Sequence, residues 1–233
     1  MSHPKGVLFD FSGTLLCIES TASWLRAALE RTGTALPAGE FDGLVRRLRE
    51  AGAQPGGPLP AEVPGELAAV WARRDSSAEE HRAAYFAMAS RVPMPVPGLY
   101  EVLYARHMEP GAWRPYADAA AVLGELRRRG VRTAVVSNVG WDLRPVFREH
   151  GLDPLVEVYV LSYEHGVQKP DPRLFHAACE ALGLPPQEVL MVGDDAVNDG
   201  GAARIGCAVH LVEHLPVDRR PDALLPVLEA VGG

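Results

Sequence analysis

The chain has 233 residues, 47% of them hydrophobic, which is enough apolar material to bury the core of a globular protein. Its formal net charge of -7 excludes nucleic acid as a partner, and its three widely spaced cysteines exclude a disulfide framework and a zinc site. Without a run of roughly 18 apolar residues, or a long apolar stretch near its start, the sequence predicts a cytoplasmic protein that does not span a membrane.

The predicted elements change character twice along the chain. Residues 5–12 form a short apolar run, which predicts a buried parallel strand with Asp10 at its carboxyl end. From Glu19 to about Met108 the apolar residues recur at helical spacing, interrupted by Pro and Gly, and no strand is predicted. From Pro115 onward helices and strands alternate. The predicted strands are 131–137, 155–162, 188–193 and 207–212, and the predicted helices are 117–129, 141–150, 171–182 and 198–205.

This alternation predicts a fold of the α/β class, with a parallel sheet built from βαβ units. The core is interrupted directly after its first strand by a helical insertion of roughly 90 residues, a size that suits a separate small domain. In an open parallel sheet, ligands bind outside the carboxyl ends of the strands. We therefore expect a binding site at that edge of the sheet.

Polar side chains lie at four successive strand ends. They are Asp10, the pair Ser137 and Asn138, Lys169, and the pair Asp194 and Asp195. Taken singly, each is typical of a helix cap, a turn or an exposed surface. Together they suit phosphoryl transfer, because a carboxylate can attack phosphorus while an ammonium, a hydroxyl and an amide neutralise the phosphate oxygens. Oxygen ligands of this kind favour Mg²⁺, since no cluster of His and Cys competes for a softer metal.

Four segments carry a resemblance to a known family. They read FDFSGTL, VVSN, QKPDP and VGDDAVNDGGAA, and in this order they resemble the signature motifs of the haloacid dehalogenase superfamily, whose members are chiefly phosphatases. The resemblance covers residues 5–16 and about 113–230. It implies a Rossmann-like core over residues 1–16 and 112–233, with a smaller helical cap domain inserted at 17–111.

The resemblance also implies a mechanism, in which Asp10 attacks phosphorus of a small substrate and carries the phosphoryl group as an aspartyl-phosphate. In that mechanism Mg²⁺ is the cofactor. The implied catalytic residues are Asp10, Ser12 and Lys169. The implied substrate-binding residues are Thr14, Ser137, Asn138 and Lys169. The implied Mg²⁺ ligands are Asp10, Asp194 and the backbone carbonyl of Ser12, with Asp199 supporting them.

Ser12 departs from the pattern of the phosphatases in this superfamily. They carry an Asp two residues beyond the nucleophile, which protonates the leaving group and then activates water, whereas a serine hydroxyl is a poor proton shuttle at neutral pH. General acid–base help is typically worth about 10²- to 10⁴-fold in rate. Two explanations are open: the substrate is an activated phosphate such as an acyl phosphate, or another group supplies the proton. His165 is the first candidate for that group, followed by His81 and His107 in the cap.

Other functions remain as alternatives. A 2-haloacid dehalogenase also lacks the second Asp, attacks carbon and uses no metal, but its fourth motif is typically poor in the acidic pair that Asp194 and Asp195 form here. A phosphonoacetaldehyde hydrolase needs a lysine in the cap, and the only lysines are Lys5 and Lys169. A phosphate-binding module that has lost turnover would fit Ser12, although it would not require the nucleophile, the lysine and the acidic cluster together. A Mg²⁺-dependent phosphatase is the function that the sequence favours.

Overall fold

The structure is a computed structural model that describes residues 3–232. Within them the strands are β1 (Gly6–Phe9), β2 (Leu16–Ile18), β3 (Trp113–Pro115), β4 (Arg132–Ser137), β5 (Val158–Leu161), β6 (Val189–Gly193) and β7 (Ala208–Leu211). Five of them form one parallel sheet in the order β5-β4-β1-β6-β7. These five strands lie at the five predicted positions, and the α/β fold class is confirmed.

Ten α-helices accompany the strands in this part of the chain. They are α1 (Thr21–Thr32), α2 (Ala38–Glu50), α3 (Ala68–Ala72), α4 (Ala78–Ala89), α5 (Leu99–Arg106), α6 (Ala119–Arg128), α7 (Arg144–Glu149), α8 (Ser162–His165), α9 (Pro172–Leu182) and α10 (Leu225–Ala230). Among residues 3–232, none of the helices combines the length and the apolar character that crossing a membrane would take.

The sheet is buried on both faces, which explains why its strands read as continuous apolar runs. All four residues of β1 and all five residues of β6 are buried. Because successive side chains of a strand point to opposite faces, Phe9 joins the apolar cluster that contains Phe147, whereas Leu8 joins the cluster that contains Phe175. The central strand β1 is thus fixed from both sides, and so is the position of Asp10, which follows it directly.

The helical stretch after the first strand has an apolar cluster of its own. Trp24 of α1, Leu48 of α2 and Tyr100 of α5 are buried together in it. No strand falls between Glu19 and Met108, as the sequence predicted. The chain enters and leaves this stretch through β2 and β3, which pair antiparallel in a two-stranded ribbon. The sequence did not predict the ribbon, because three-residue strands are too short to show alternation.

One predicted helix differs in kind from the observed element. The segment expected to be a helix over 198–205 is a 3-10 helix, Asp199–Ile205. Its start is held by Asp195, whose backbone carbonyl accepts from the N–H of Asp199 at 2.9 Å. Gly201 lies so close to Pro170 that a Cβ on it would be 2.6 Å from the Pro170 Cβ. This tight turn brings Asp199 back under the end of β6.

Candidate active site

Three of the predicted residues meet at the carboxyl edge of the sheet. The Lys169 Nζ donates to Asp10 Oδ1 at 2.7 Å and to Asp199 Oδ1 at 2.6 Å. The backbone N–H of Asp10 donates to the carbonyl of Val192 in β6 at 2.9 Å, which fixes Asp10 to the neighbouring strand. All three charged side chains are buried. The structure therefore brings together a carboxylate and an ammonium that are 159 positions apart in the chain.

Burial and mutual attraction shift the pKa values of these three side chains in opposite directions. Burial raises the pKa of Asp10 and of Asp199, although Lys169 partly offsets this for both carboxyls. For Lys169 burial works against the charged form, but the two carboxylates outweigh it and hold its pKa above the ordinary value. The lysine thus offsets part of the cost of burying two carboxylates.

A candidate cation site lies beside this lysine. Asp10, Asp194 and Asp199 can each offer one carboxylate oxygen such that these oxygens lie within 4.8 Å of one another. Such hard oxygen donors fit Mg²⁺, which binds through one or two carboxylates and keeps further positions for water and phosphate. Both oxygens of Asp199 already accept hydrogen bonds, Oδ1 from Lys169 and Oδ2 from the backbone N–H of Asp195 at 3.0 Å. The donor set fits the metal that the sequence analysis expected.

The loop after Asp10 is held against Asp194. Gly13 has φ +82, and a Cβ on it would lie 2.3 Å from Asp194 Oδ2. The guanidinium of Arg220 donates to the backbone carbonyls of Gly13 and Thr14, and it stacks over the Tyr116 ring at 3.2 Å from the centroid. Glycine is therefore required at position 13 both for the backbone conformation and for the close approach.

We expect Gly13→Ala to damage the cation site beyond its cost in backbone strain. A non-glycine residue at positive φ costs about 1–2 kcal/mol in the free energy of unfolding. Because the added Cβ also displaces Asp194, we expect Mg²⁺ affinity, measured by isothermal titration calorimetry, to fall by about 10- to 100-fold. Gly130→Ala is the matched control, since Gly130 has φ +72 and open space around its Cβ position. Equal Mg²⁺ affinity in the two variants would contradict the expectation.

The other residues predicted for the substrate fall in two places. Ser137 is buried at the end of β4 and lines the cavity at the site. Asn138 lines it too, and its side chain pairs with the backbone of Lys169, donating to the carbonyl at 3.0 Å and accepting from the N–H at 2.7 Å. Thr14 is fully buried behind the loop, outside the cavity lining. Ser12 lines the cavity, with its Oγ 3.5 Å from the carbonyl of Gly56 in the helical stretch.

The cavity above these residues has a volume of about 220 Å³. Its floor is the strand edge with Asp10, and an aromatic wall is formed by Phe11, Trp113 and Trp141. Its other side comes from the helical stretch. The residues there that carry polar groups are Gly56, Arg74, Asp75, His81, Tyr85 and His107.

The histidines considered as proton donors do not suit that task. His165 is exposed at the end of α8 and does not line the cavity. His81 and His107 do line it, but burial lowers the pKa of His81 well below its usual value and the pKa of His107 to about 3. Both are therefore neutral at physiological pH. His107 in addition uses Nδ1 for a hydrogen bond with the backbone carbonyl of Tyr104.

Two residues at the site were not singled out from the sequence. Asp75, on the turn before α4, lines the cavity and is only 5% exposed. His214, beyond β7, contacts Asp194 Oδ2 through Nδ1 at 2.7 Å, and this hydrogen bond raises the pKa of His214 to about 10. No local pattern marks either residue, because each is brought to the site by a loop remote from the motifs.

Comparisons with known proteins agree with this architecture. A family model described as haloacid dehalogenase-like hydrolase matches residues 4–206. Phosphoserine phosphatase of Thermus thermophilus is 42% identical over 91 residues, which are 39% of this chain and 36% of that protein. (S)-2-haloacid dehalogenase 4A of Burkholderia cepacia is 33% identical over 110 residues, 47% of this chain and 46% of that protein. The matched part spans less than half the length of either relative.

The fold agrees with a solved structure as well. The crystal structure of a HAD phosphatase from Thermococcus onnurineus superposes with a TM-score of 0.57 at 23% identity, covering 91% of this chain and 86% of that one. The family match takes in four of the five strands of the parallel sheet, together with Asp10, Lys169, Asp194 and Asp199. The chain therefore belongs to the haloacid dehalogenase-like hydrolases.

Proposed function

We propose that this hydrolase is a Mg²⁺-dependent phosphatase that acts on a small phosphorylated substrate through an aspartyl-phosphate on Asp10. The observation that carries the proposal is the acidic cluster, in which Asp10, Asp194 and Asp199 can bring carboxylate oxygens within 4.8 Å of one another. Carboxylates grouped so closely repel one another unless positive charge lies among them; Lys169 supplies part of that charge, and Mg²⁺ would supply more. Metal-free attack on carbon does not require such a group.

Asp10, Asp194 and the backbone carbonyl of Ser12 would hold Mg²⁺ directly. Asp199 would support them, because its oxygens are already engaged by Lys169 and by the backbone N–H of Asp195. Bound there, Mg²⁺ would neutralise phosphate oxygens and screen the repulsion between the substrate and the nucleophile. The loss of the usual Asp at position 12 does not remove a ligand, since the ligand there is a backbone oxygen.

The chain's own residues would divide the remaining work. Lys169 orients the carboxylate of Asp10 and places a positive charge where the phosphate oxygens would lie. Ser137 supplies a hydroxyl at the end of the neighbouring strand β4. Asn138 positions Lys169 through the two hydrogen bonds to its backbone. With these groups in place, Asp10 attacks phosphorus in line with the departing oxygen.

We also propose that residues 17–111 form a cap domain on a core of residues 1–16 and 112–233. The apolar cluster around Trp24 gives this segment a core of its own. Its polar residues form one side of the cavity, opposite the strand edge. A cap in this place would exclude water, which strengthens the electrostatic interactions with the phosphate and favours small substrates.

The test of the proposed function is hydrolysis of p-nitrophenyl phosphate and acetyl phosphate with Mg²⁺ and with excess EDTA. We expect turnover with Mg²⁺, and we expect EDTA to reduce it to the background rate, because the carboxylate cluster then repels the anionic substrate. Mg²⁺ binding is measured independently by calorimetry. Turnover that is equal in Mg²⁺ and in EDTA would contradict the proposal.

The second candidate function is a 2-haloacid dehalogenase. The observation that favours it is Ser12, which lines the cavity beside an aromatic wall of Phe11, Trp113 and Trp141 and offers no carboxylate for proton transfer. The similarity to the Burkholderia dehalogenase supports the same candidate. The same protein sample is therefore assayed for chloride release from 2-chloropropionate in EDTA. Chloride release without phosphate release would identify the chemistry as attack on carbon.

A further inference from the structure

We propose that Asp75 is the catalytic acid of this site, donating the proton that the serine at position 12 cannot. The inference rests on the proposed phosphatase function. It assigns to the helical stretch between β2 and β3 a direct part in the chemistry. It also predicts that the enzyme hydrolyses ordinary alkyl phosphates as well as activated ones.

The backbone of Asp75, although part of the helical stretch, is hydrogen-bonded to two residues that follow β5. Its N–H donates to Gln168 Oε1 at 2.6 Å, and its carbonyl accepts from Ser162 Oγ, also at 2.6 Å. Gln168 immediately precedes Lys169 in the chain, and Gln168 Nε2 donates in turn to the carbonyl of Ala72 at 3.0 Å. The turn that carries Asp75 is therefore attached to the segment that positions the lysine, and Asp75 lines the same cavity as Asp10.

The direction of the reaction places the leaving group near this turn. In an in-line displacement the attacking and departing oxygens lie on opposite sides of phosphorus. Asp10 attacks from the strand edge at the floor of the cavity, so the departing oxygen faces the side formed by the helical stretch. Asp75 belongs to that side. Ser12 belongs to the loop beside the nucleophile, and its hydroxyl is directed toward the carbonyl of Gly56.

The other proton-bearing groups on that side are unsuitable as acids. His81 and His107 are neutral, since burial lowers the pKa of each. Burial raises the pKa of Tyr85, which makes it a weaker acid than a free tyrosine. A guanidinium such as that of Arg74 does not release its proton in proteins. Asp75 is the remaining proton donor of this side among the described residues.

The surroundings of Asp75 shift its carboxyl group toward the protonated form. Burial raises the pKa of Asp75, Arg74 and Lys169 work against this, and Asp10 adds to it. Arg74 Nε lies 3.4 Å from Asp75 Oδ2, and His81 Nε2 lies 3.7 Å from Asp75 Oδ1. The charge of Asp75 in turn contributes to the raised pKa of Tyr85. A carboxyl with a raised pKa is the form of acid that functions near neutral pH.

The reaction then has two steps, and Asp75 gives up a proton in the first and regains one in the second. In the first step an Asp10 carboxylate oxygen forms a bond to phosphorus, the bond from phosphorus to the substrate oxygen breaks, and Asp75 transfers its proton to that oxygen. In the second step the Asp75 carboxylate takes a proton from water as the water oxygen bonds to phosphorus. The acyl phosphate bond to Asp10 breaks, which releases phosphate and restores both carboxyl groups.

The test compares two substrates in Asp75→Asn. The first is glycerol 2-phosphate, whose alkoxide needs a proton to depart; the second is p-nitrophenyl phosphate, whose leaving group departs without one. We expect kcat/KM for glycerol 2-phosphate to fall by about 10²- to 10⁴-fold and kcat/KM for p-nitrophenyl phosphate to change little, because this ratio reports the first chemical step. We also expect a burst of p-nitrophenol, since the second step has lost its base.

The pH profile is a readout that a merely structural role would not change. In the wild-type protein kcat/KM for glycerol 2-phosphate should fall as the pH rises through the pKa of Asp75, and this limb should be absent in Asp75→Asn. Asp42→Asn, an exposed acid on α2, is the matched control and should behave as wild type. Urea unfolding of all three proteins monitors the fold.

The outcomes separate the two proposals. If wild-type protein hydrolyses both substrates but Asp75→Asn lowers kcat/KM for both equally, or for neither, Asp75 is not the acid and the phosphatase proposal stands. If wild-type protein hydrolyses only p-nitrophenyl phosphate, the protein works without an acid and the Asp75 assignment is overturned. If it hydrolyses neither substrate with Mg²⁺, both proposals fail.

Discussion

Replacing Asp10 by Asn should lower kcat for p-nitrophenyl phosphate by at least about 10⁴-fold, because the variant loses the nucleophile itself. Asn has nearly the same shape and leaves Lys169 in place, so the cavity should keep its form. Acid-quenched mass spectrometry should find a phosphoryl group on the wild-type protein during turnover and none on the variant. The kinetics and the trapped intermediate thus test independently whether Asp10 is the nucleophile.

Stability distinguishes this variant from a misfolded one. Burial raises the pKa of Asp10, so its ionised form is less favourable in the folded protein than in the unfolded chain. Removing that charge should leave the free energy of unfolding in urea unchanged or slightly higher, as is common when a functional charge is neutralised. An Asp10→Asn protein that is folded and still turns over at the wild-type rate would exclude Asp10 as the nucleophile.

The sheet and its edge were predictable because they follow local rules. The runs GVLF in β1 and VLMVG in β6 are continuous and apolar, which is typical of strands buried on both faces. Parallel strands align their carboxyl ends, so the residues after them had to meet. Asp10 follows β1 directly, whereas Lys169 reaches the same edge from the segment after α8 and contacts Asp10 and Asp199 there. Sequence reasoning placed Asp10, Lys169 and Asp194 at this edge, but it did not predict the hydrogen bonds of Lys169 to the two carboxylates.

The acid on the opposite side could not be predicted in the same way. Asp75 comes near the site because Gln168 and Ser162 hold its backbone, and these contacts join segments that are 93 and 87 residues apart. A contact between segments so far apart leaves no periodic pattern in the sequence. His165 was favoured because it is close to Lys169 in sequence, but the short helix α8 leaves it exposed. Closeness along the chain was a poor guide there, since side-chain direction depends on the turn.

Replacing Lys169 by Met should produce the largest loss of stability among these variants. Lys169 is buried between two buried carboxylates and balances both. Removing one partner of a buried charge pair leaves an uncompensated charge and typically costs about 3–5 kcal/mol in the free energy of unfolding. We also expect loss of phosphatase activity, because the variant cannot neutralise the substrate.

The pH dependence of that loss identifies its cause. Without the ammonium, the folded-state pKa values of Asp10 and Asp199 should rise further above the unfolded value of 3.8. The folded variant then binds more protons than the unfolded chain between those values, so its stability rises as the pH falls through that window. Urea unfolding at about pH 8 and about pH 5 should therefore show a smaller deficit at the lower pH.

Two further variants complete this argument. Lys5→Met removes the other lysine of the chain, whose exposed ion pair with Glu188 at 2.8 Å should contribute at most about 1 kcal/mol. Combining Lys169→Met with Asp199→Asn removes one of the two unbalanced carboxylates and should restore part of the lost stability. If Lys169→Met were no more destabilising than Lys5→Met, or if its deficit did not depend on pH, then the buried charge cluster would not be what holds this edge of the sheet together.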